Sequence, residues 1–327
     1  MHGRRIVAFL ALGLGVFLAA LGPLLRWYVL PSVQLAPYDQ DFTDISTGTG
    51  HYLDQSTGRL AWGQITVTRH TLGDAGAGRS VGKAVWDIST RVDTPRTSKL
   101  ADARQAFSLS VHRWVFDRHT IRSSTCCGGD TGAGADGYLK YPFSAGHRSY
   151  QVWDGTAGKA YRADFTGTRT LYGRSFNQYT MRVPVTRIGT MRVPPSVVGL
   201  KPGADPVTVE EWYSNPEAVN LVDPLTGAPA GGSSHQIITL RLPGSPRTAA
   251  TALDVELRST PETEKALVDA FKAKHDGLAL LTGPVPYVLL GVGAVGAAVG
   301  GVLLRRPKAV QQAPLATGPL PVGGAAR

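Results

Sequence analysis

Residues 6–25 read IVAFLALGLGVFLAALGPLL, and residues 278–304 read LALLTGPVPYVLLGVGAVGAAVGGVLL. Neither stretch contains a charged side chain. A helix of about 20 apolar residues is long enough to cross the roughly 30 Å hydrocarbon core of a bilayer. We therefore predict two transmembrane helices, over residues 6–25 and 278–304, with residues 26–277 between them as one extracytoplasmic domain.

Basic residues flank the outer ends of both stretches, and they are Arg4, Arg5, Arg305, Arg306 and Lys308. Lys and Arg are enriched on the cytoplasmic flanks of membrane helices. The pattern predicts a plasma-membrane protein with both termini in the cytoplasm. Residues 1–5 form the short N-terminal end, and residues 305–327 form a Pro-, Ala- and Gly-rich tail that we expect to be disordered.

The first apolar stretch has two interpretations. It is longer than the roughly 7–15 apolar residues typical of a cleaved signal peptide, which favours an uncleaved signal anchor. Ala20, Leu21 and Gly22 nevertheless place small residues at a spacing that a signal peptidase accepts, so cleavage is the competing interpretation.

Small residues recur along the second stretch, at Gly293, Ala297 and Gly301 in one row and at Gly296 and Gly300 in another. Such spacing permits close packing of helices. It is also what an alanine- and glycine-rich composition produces by itself. If the spacing reflects packing, the expected partner is the first helix or a second copy of the protein.

The distribution of charge excludes a nucleic-acid surface. The formal net charge is +10, but all 24 acidic residues lie between Asp39 and Asp276. Seven of the 34 basic residues lie outside that range, which leaves 27 basic against 24 acidic residues in the central domain, a net charge of +3. The excess sits beside the apolar stretches, as expected for membrane orientation. We therefore predict no nucleic-acid partner.

The central domain reads as mainly antiparallel β-sheet with a few helices. Apolar side chains alternate with polar ones at period two, and turn signals such as Gly73-Asp74 and Thr226-Gly227 separate the runs. The predicted strands cover residues 64–69, 84–92, 110–116, 207–213, 238–242 and 253–257.

Two helices and one repeat complete this prediction. A helix over Ser259–Asp276 begins with capping-box spacing between Ser259 and Glu262. A shorter helix is predicted over Ser98–Phe107. Residues 180–184, TMRVP, recur at 190–194, and we interpret the two copies as a pair of edge strands because each ends in proline.

No sequence motif indicates catalysis or metal binding. There is no Gly-x-Ser-x-Gly, and the eight histidines are scattered without metal-ligand spacing. We predict no catalytic, cofactor-binding or metal-binding residues and no enzymatic activity. A hydrolase is kept as an alternative, which requires Asp117 or Asp154 to lie beside a histidine, with His112, His119 and His147 as the candidates.

The two cysteines, Cys126 and Cys127, are adjacent. Outside the cytoplasm thiols tend to oxidise, so a vicinal disulfide that stiffens a turn is the favoured interpretation. A redox switch or an intermolecular bridge is the alternative.

Aromatic residues concentrate between residues 138 and 179. In a β domain most of them belong to the core, but some are candidates for the lining of an apolar cavity. The candidate lining residues are Tyr141, Phe143, Tyr150, Trp153, Phe165 and Tyr172.

Several short motifs, in this order along the chain, resemble an actinobacterial envelope family of unknown function that carries the label porin PorA. They are Tyr141-Pro142-Phe143, Tyr150, Trp153-Asp154-Gly155, Phe165, Gly167, Leu171-Tyr172-Gly173 and Val222-Asp223-Pro224-Leu225-Thr226-Gly227. The resemblance implies an anchor, a β-rich domain and a C-terminal span, and it supplies no catalytic residues. In topology alone, the layout is similar to class B scavenger receptors, whose outer domain has a lipid tunnel.

These features predict a two-span envelope protein whose outer domain binds or passes a lipid or another apolar ligand. The expected partners are membrane lipid and either further copies of the chain or other envelope proteins. One alternative is a scaffold for envelope assembly, which we expect to have a closed core. A pore is a further alternative and requires several copies, because two helices alone cannot enclose a wide aqueous channel.

Overall fold

The computed structural model of the chain describes residues 2–54, 57–100, 102, 106–130, 137–203 and 205–305. Its contacts divide the chain into two compact units. One unit contains the apolar helices from the two ends of the chain, and the other spans Arg26–Gly283.

The first unit is an antiparallel pair of helices, α1 (His2–Leu24) and α5 (Pro284–Leu304). Gly300, near the end of α5, lies against Leu12 near the start of α1, whereas Gly22 at the far end of α1 lies against Pro286. Most of α1 lies in the helical segment Arg5–Val33, and α5 lies in the segment Pro261–Leu304. Both segments are long and apolar enough to cross a membrane. Many of their large apolar side chains are exposed, as expected for helices that face lipid.

Glycines allow α1 and α5 to approach closely. A Cβ atom added to Gly293 would overlap the backbone nitrogen of Ala19, and one added to Gly15 would overlap that of Ala297. Gly291 and Gly301 instead face open space. Of the two partners considered for the small-residue rows, the helix at the other end of the chain therefore occupies the glycine face of α5.

The second unit is built on one sheet of ten antiparallel strands, in the order β4-β3-β2-β1-β10-β9-β8-β7-β6-β5. The first and last strands of the chain pair with each other and join two meanders into a half-barrel. The strands are β1 (Asp41–Asp54), β2 (Arg59–Gly73), β3 (Ala84–Asp93), β4 (Ser108–Phe116), β5 (Tyr150–Asp154), β6 (Lys159–Leu171), β7 (Arg174–Val193), β8 (Val207–Val222), β9 (Pro229–Arg241) and β10 (Ala250–Ser259).

The connection between β4 and β5 covers both edges of this sheet. Phe116 of β4 bridges to Ser123, Arg122 bridges to Tyr138, and Tyr138 bridges to Val152 of β5. Unpaired strand edges attract other chains, so these bridges protect them. The shorter helical elements are a π-helical turn (Leu25–Val29), α2 (Leu30–Val33), α3 (Ala75–Val81) and two 3₁₀ turns (Thr97–Lys99 and Pro195–Val198).

All six predicted strands lie within observed strands, apart from Leu242, which lies just beyond the end of β9. The interpretation of the repeat as two edge strands is wrong. Both copies lie in the single long strand β7, apart from Pro194, which follows its last residue, and β7 pairs with β6 on one side and β8 on the other. Proline is tolerated there because Pro184 sits where the register between β7 and β8 shifts, at a bulge.

The predicted soluble helix is confirmed as α4 (Pro261–Thr282), but its capping residue is one position later than predicted. The hydroxyl of Thr260 accepts a hydrogen bond from the Thr263 backbone N–H. Ser259 instead ends β10, and its hydroxyl accepts a hydrogen bond from Gly232. The predicted helix at Ser98–Phe107 is wrong at its start, where a 3₁₀ turn ends at Lys99 and Leu100 is extended; residues 101 and 103–105 lie outside the described residues.

We expect the substitution Gly293→Leu to separate α1 from α5, because overpacking a tight interface costs about 1–3 kcal/mol. Spin labels on cysteines introduced at Phe17 and Val295, two exposed positions, report the distance between the helices in detergent. The distance distribution should broaden in Gly293→Leu. The matched control Gly291→Leu, which faces open space, should keep the wild-type distribution. Equal broadening in both variants would contradict the observed packing.

Candidate functional site

The domain of residues 26–283 contains a cavity of about 210 Å³. Its walls come from strands at both ends and in the middle of the sheet order, so the cavity lies on the inner face of the half-barrel. Helix α4 and three non-strand segments, at residues 36–40, 139–143 and 226–228, contribute the remaining wall. The apolar side chains that line it include Phe42, Trp86, Ile88, Trp114, Leu139, Val152, Val222 and Phe271.

Two motifs that are distant in sequence meet at the cavity wall. Residues 141–143 contact the hairpin turn of residues 223–227, where Ser144 donates a backbone hydrogen bond to Leu225. Gly227 has a φ of 67°, and a Cβ atom there would overlap the backbone oxygens of Tyr141 and Pro142. Only glycine combines this left-handed conformation with such close approach.

Asp223 organises this turn. Its Oδ1 atom accepts hydrogen bonds from the backbone of Leu225 and from both the backbone and the hydroxyl of Thr226. Its Oδ2 atom lies 2.5 Å from Nδ1 of His275 on α4. Asp223 is buried, and both of its carboxylate oxygens have polar partners. The turn and α4 are thereby fixed to each other on one side of the cavity.

Two lysines face the cavity from different elements. Lys140 donates hydrogen bonds from Nζ to the carbonyls of Tyr141 (2.8 Å) and Thr226 (3.1 Å). Lys274 on α4 donates to the carbonyl of Leu35 at 2.6 Å. Both ammonium groups lie against one ring, at 4.8 Å and 4.9 Å from the centroid of Phe143. In the part of the chain that the structure describes, neither ammonium group has a carboxylate within 4.0 Å.

Burial disfavours the charged form of both lysines. Burial, together with the positive charge of Lys274, lowers the pKa of Lys140 to about 7, and Asp223 opposes the shift. Burial also lowers the pKa of Lys274, with a contribution from Arg118. The wall of this apolar cavity therefore carries two lysine side chains whose amino groups have no carboxylate partner among the described residues.

A compensated pair lies on another part of the wall. Asp44 of β1 and Arg69 of β2 are direct neighbours across the strands, with 3.9 Å between Oδ2 and Nη1. Burial raises the pKa of Asp44, and Arg69 opposes that shift. Among the described residues, no group of three or more His, Cys, Asp or Glu side chains is arranged to hold a metal ion.

The six aromatic candidates separate into three groups. Tyr141, Phe143 and Trp153 line the cavity. Tyr150 and Phe165 pack behind it, where both contact the ring of Tyr179. Tyr172 is exposed and donates a hydrogen bond to the carbonyl of Pro261, so it does not line the cavity.

The sequence also contains lining residues that its patterns did not single out. Lys140 lies between Leu139 and Tyr141, and Lys274 lies on the apolar stripe of the predicted helix. The signal at both positions is a lysine in an apolar setting, which is given by the sequence neighbours of Lys140 and by the helical stripe of Lys274.

The pairings required for a hydrolase do not form. Asp154 accepts a hydrogen bond from the hydroxyl of Tyr213, His147 stacks on Phe165, and His112 lies 3.4 Å from Asp130. Asp117 accepts from the backbone of His119 in a turn. Other His–Asp pairs occur, including His275 with Asp223, but no hydroxyl or thiol contacts their imidazoles in the described residues.

The cysteines lie away from the cavity, in the connection between β4 and β5. Cys126 and Cys127 are bonded to each other, and Cys127 has a φ of 63°. Gly129 donates a backbone hydrogen bond to Cys126, which closes a tight turn.

Comparison with known protein families identifies a match over most of the chain. The family model described as porin PorA matches residues 7–302, a range that includes most of both terminal helices and the whole sheet domain. No curated protein matches the chain significantly.

The buried Lys140 should make stability depend on pH. In the unfolded chain its pKa is about 10.4, so between pH 7 and 10 the unfolded state holds a proton that the folded state lacks. The free energy of unfolding should therefore rise with pH over this interval, by at most about 1.4 kcal/mol per unit. Lys140→Met should remove this contribution, whereas Lys159→Met, at an exposed lysine, should keep it. Denaturant titrations of all three proteins measure it, and identical pH slopes for the three would contradict it.

Proposed function

Since the chain belongs to the porin PorA family, we propose that it is a membrane-anchored envelope protein whose sheet domain binds a lipid or another apolar molecule. The cavity inside the half-barrel carries this proposal. Ligand sites are typically concave and mostly apolar, with a few polar groups that orient the ligand. The aromatic walls, the two lysines and the Asp44–Arg69 pair fit that description.

The volume of the cavity limits what it can hold. A cavity of about 210 Å³ is large enough for one alkyl chain or a small ring compound. The ligand that best matches this size has a single chain or inserts one of its chains.

The helix pair supports a membrane location. Both helices are apolar and long enough to span a bilayer, and the family match is compatible with that location. Because α1 and α5 are antiparallel, Arg5 in the first turns of α1 and Arg305 directly after α5 belong to the same end of the pair. The positive-inside rule then favours cytoplasmic termini and an extracytoplasmic sheet domain.

An oligomeric pore is the second candidate, and the description of the family favours it. One copy offers two closely packed helices, which leave no room between them for an aqueous path. A pore therefore needs several copies arranged around a channel. Conductance across planar bilayers, measured together with the mass of the assembly, distinguishes this candidate from a monomeric ligand-binding protein.

The remaining alternatives have less support. We expect an assembly scaffold to have a closed core, so the cavity favours ligand binding over that role. A hydrolase lacks the pairing of Asp117 or Asp154 with a histidine side chain among the described residues.

Native mass spectrometry of the protein in mild detergent tests ligand binding. We expect the wild-type protein to carry a noncovalent adduct with the mass of a lipid or another apolar molecule. Val222→Phe should remove the adduct, because Val222 is buried on the cavity wall and the larger ring fills the space. Val111→Phe is the matched control, at an exposed position on β4, and should retain the adduct.

Thermal unfolding of both variants checks that they fold. If Val222→Phe does not fold, Ile88→Phe supplies the same test, because Ile88 also lines the cavity and the larger side chain fills the space. A wild-type protein that remains at its bare mass, even after incubation with single-chain lipids, would refute ligand binding.

Reporter fusions test the orientation. Alkaline phosphatase is active only outside the cytoplasm, and green fluorescent protein reports a cytoplasmic location. We expect fusions after Arg327 to fluoresce and to lack phosphatase activity, because the basic residues after α5 favour the cytoplasm. A phosphatase fusion truncated after Gly283, ahead of α5, should be active. The opposite pattern would contradict cytoplasmic termini.

A further inference from the structure

Two ammonium groups converge in the cavity from parts of the chain that are far apart in sequence. Lys140 belongs to the connection between β4 and β5, and Lys274 belongs to α4. Each lies within 5 Å of the centroid of the same ring, Phe143. A single ligand group at this ring would therefore meet both of them.

The surrounding acidic groups are already engaged. Asp223, whose negative charge raises the pKa of Lys140, is hydrogen-bonded to His275 and to the backbone of Thr226 in its own turn. Asp44 lies beside Arg69. A third cation, Arg118, acts on Lys274; its guanidinium lies 3.6 Å from the centroid of Tyr38 and donates to the carbonyl of Ala36. This wall of the cavity thus has more positive than negative charge.

Uncompensated charge inside a protein is costly, and an ionised partner removes much of that cost. The carbonyl partners of both lysines satisfy hydrogen-bonding capacity but do not neutralise charge. An ammonium group has three donors, so each lysine retains a donor for a ligand. An anion next to Phe143 would contact both lysines and neutralise their charge.

We infer that the ligand is an anionic single-chain amphiphile, whose carboxylate or phosphate group binds Lys140 and Lys274 while its alkyl chain lies among Trp86, Ile88 and Trp114. This inference rests on the proposed function and specifies its ligand class. The chain length follows from the cavity, which accommodates one short alkyl chain.

Photolabelling of the full chain in nonionic detergent tests this. The probes share one ten-carbon chain with a diazirine and end in a carboxylate, a phosphate or a hydroxyl. We expect half-maximal labelling of cavity peptides at concentrations about tenfold lower for the two anionic probes than for the alcohol. Inorganic phosphate should compete weakly, because it lacks the chain.

Substitution of the lysines separates charge from shape. In Lys140→Met and Lys274→Met, the anionic probes should lose their advantage while the alcohol labels as in the wild type. Lys272→Met is the matched control on the same helix, at an exposed position, and should keep the wild-type preference.

The outcomes are distinguishable. Equal labelling of wild-type cavity peptides by all three probes would overturn the anionic ligand and leave apolar binding intact. Labelling by none of them would overturn the proposed function as well. Competition by inorganic phosphate as strong as that by the alkyl phosphate would indicate a free-anion site and overturn the amphiphile.

Discussion

The antiparallel pairing of β1 with β10 is the contact on which the rest of the sheet domain depends. It joins strands about 200 residues apart in the chain and connects two meanders that would otherwise be separate sheets. Gly48 and Gly50 permit this joint, because a Cβ atom at either position would overlap a backbone oxygen of β10. Such a long-range contact is slow to form, since its loop-closure entropy is lost before neighbouring contacts compensate for it. Only with this joint do β1, β2 and β3 face β8 and β9 across one cavity.

The chemistry of the site follows from a second junction, where the turn at Asp223–Gly227 meets residues 141–143. Asp223 holds the turn and α4 together, and Gly227 lets the two backbones touch. These contacts engage the nearest carboxylate and leave the ammonium groups of Lys140 and Lys274 facing an apolar space. Two of the motifs that resemble the porin PorA family, at residues 141–143 and 222–227, therefore meet in space. They form the part of the cavity wall that holds Lys140.

Local features of the fold could be predicted from the sequence, and relations between distant elements could not. Period-two alternation identified β3 and β10, and helical periodicity identified α4, because each pattern reflects one buried face. The same local logic failed at the TMRVP repeat, since nothing within ten residues reveals that both copies extend one central strand. Sequence patterns likewise placed Tyr172 with the cavity residues Tyr141 and Trp153. They do not distinguish an aromatic side chain on a cavity wall from one in a core or on a surface. Lys140 and Lys274 could be recognised as partners only after the fold placed both at Phe143.

In the proposed complex, the half-barrel encloses a ligand whose anionic group lies at Lys140 and Lys274. An experimental density map of the full chain, purified from its native membrane without added lipid, tests this most directly. We expect elongated density in the cavity. Its polar end should lie within hydrogen-bonding distance of Nζ of Lys140 and Lys274, and its other end should lie among Trp86, Ile88 and Trp114. A cavity that is closed by its own side chains, or that holds only ordered water, would contradict it.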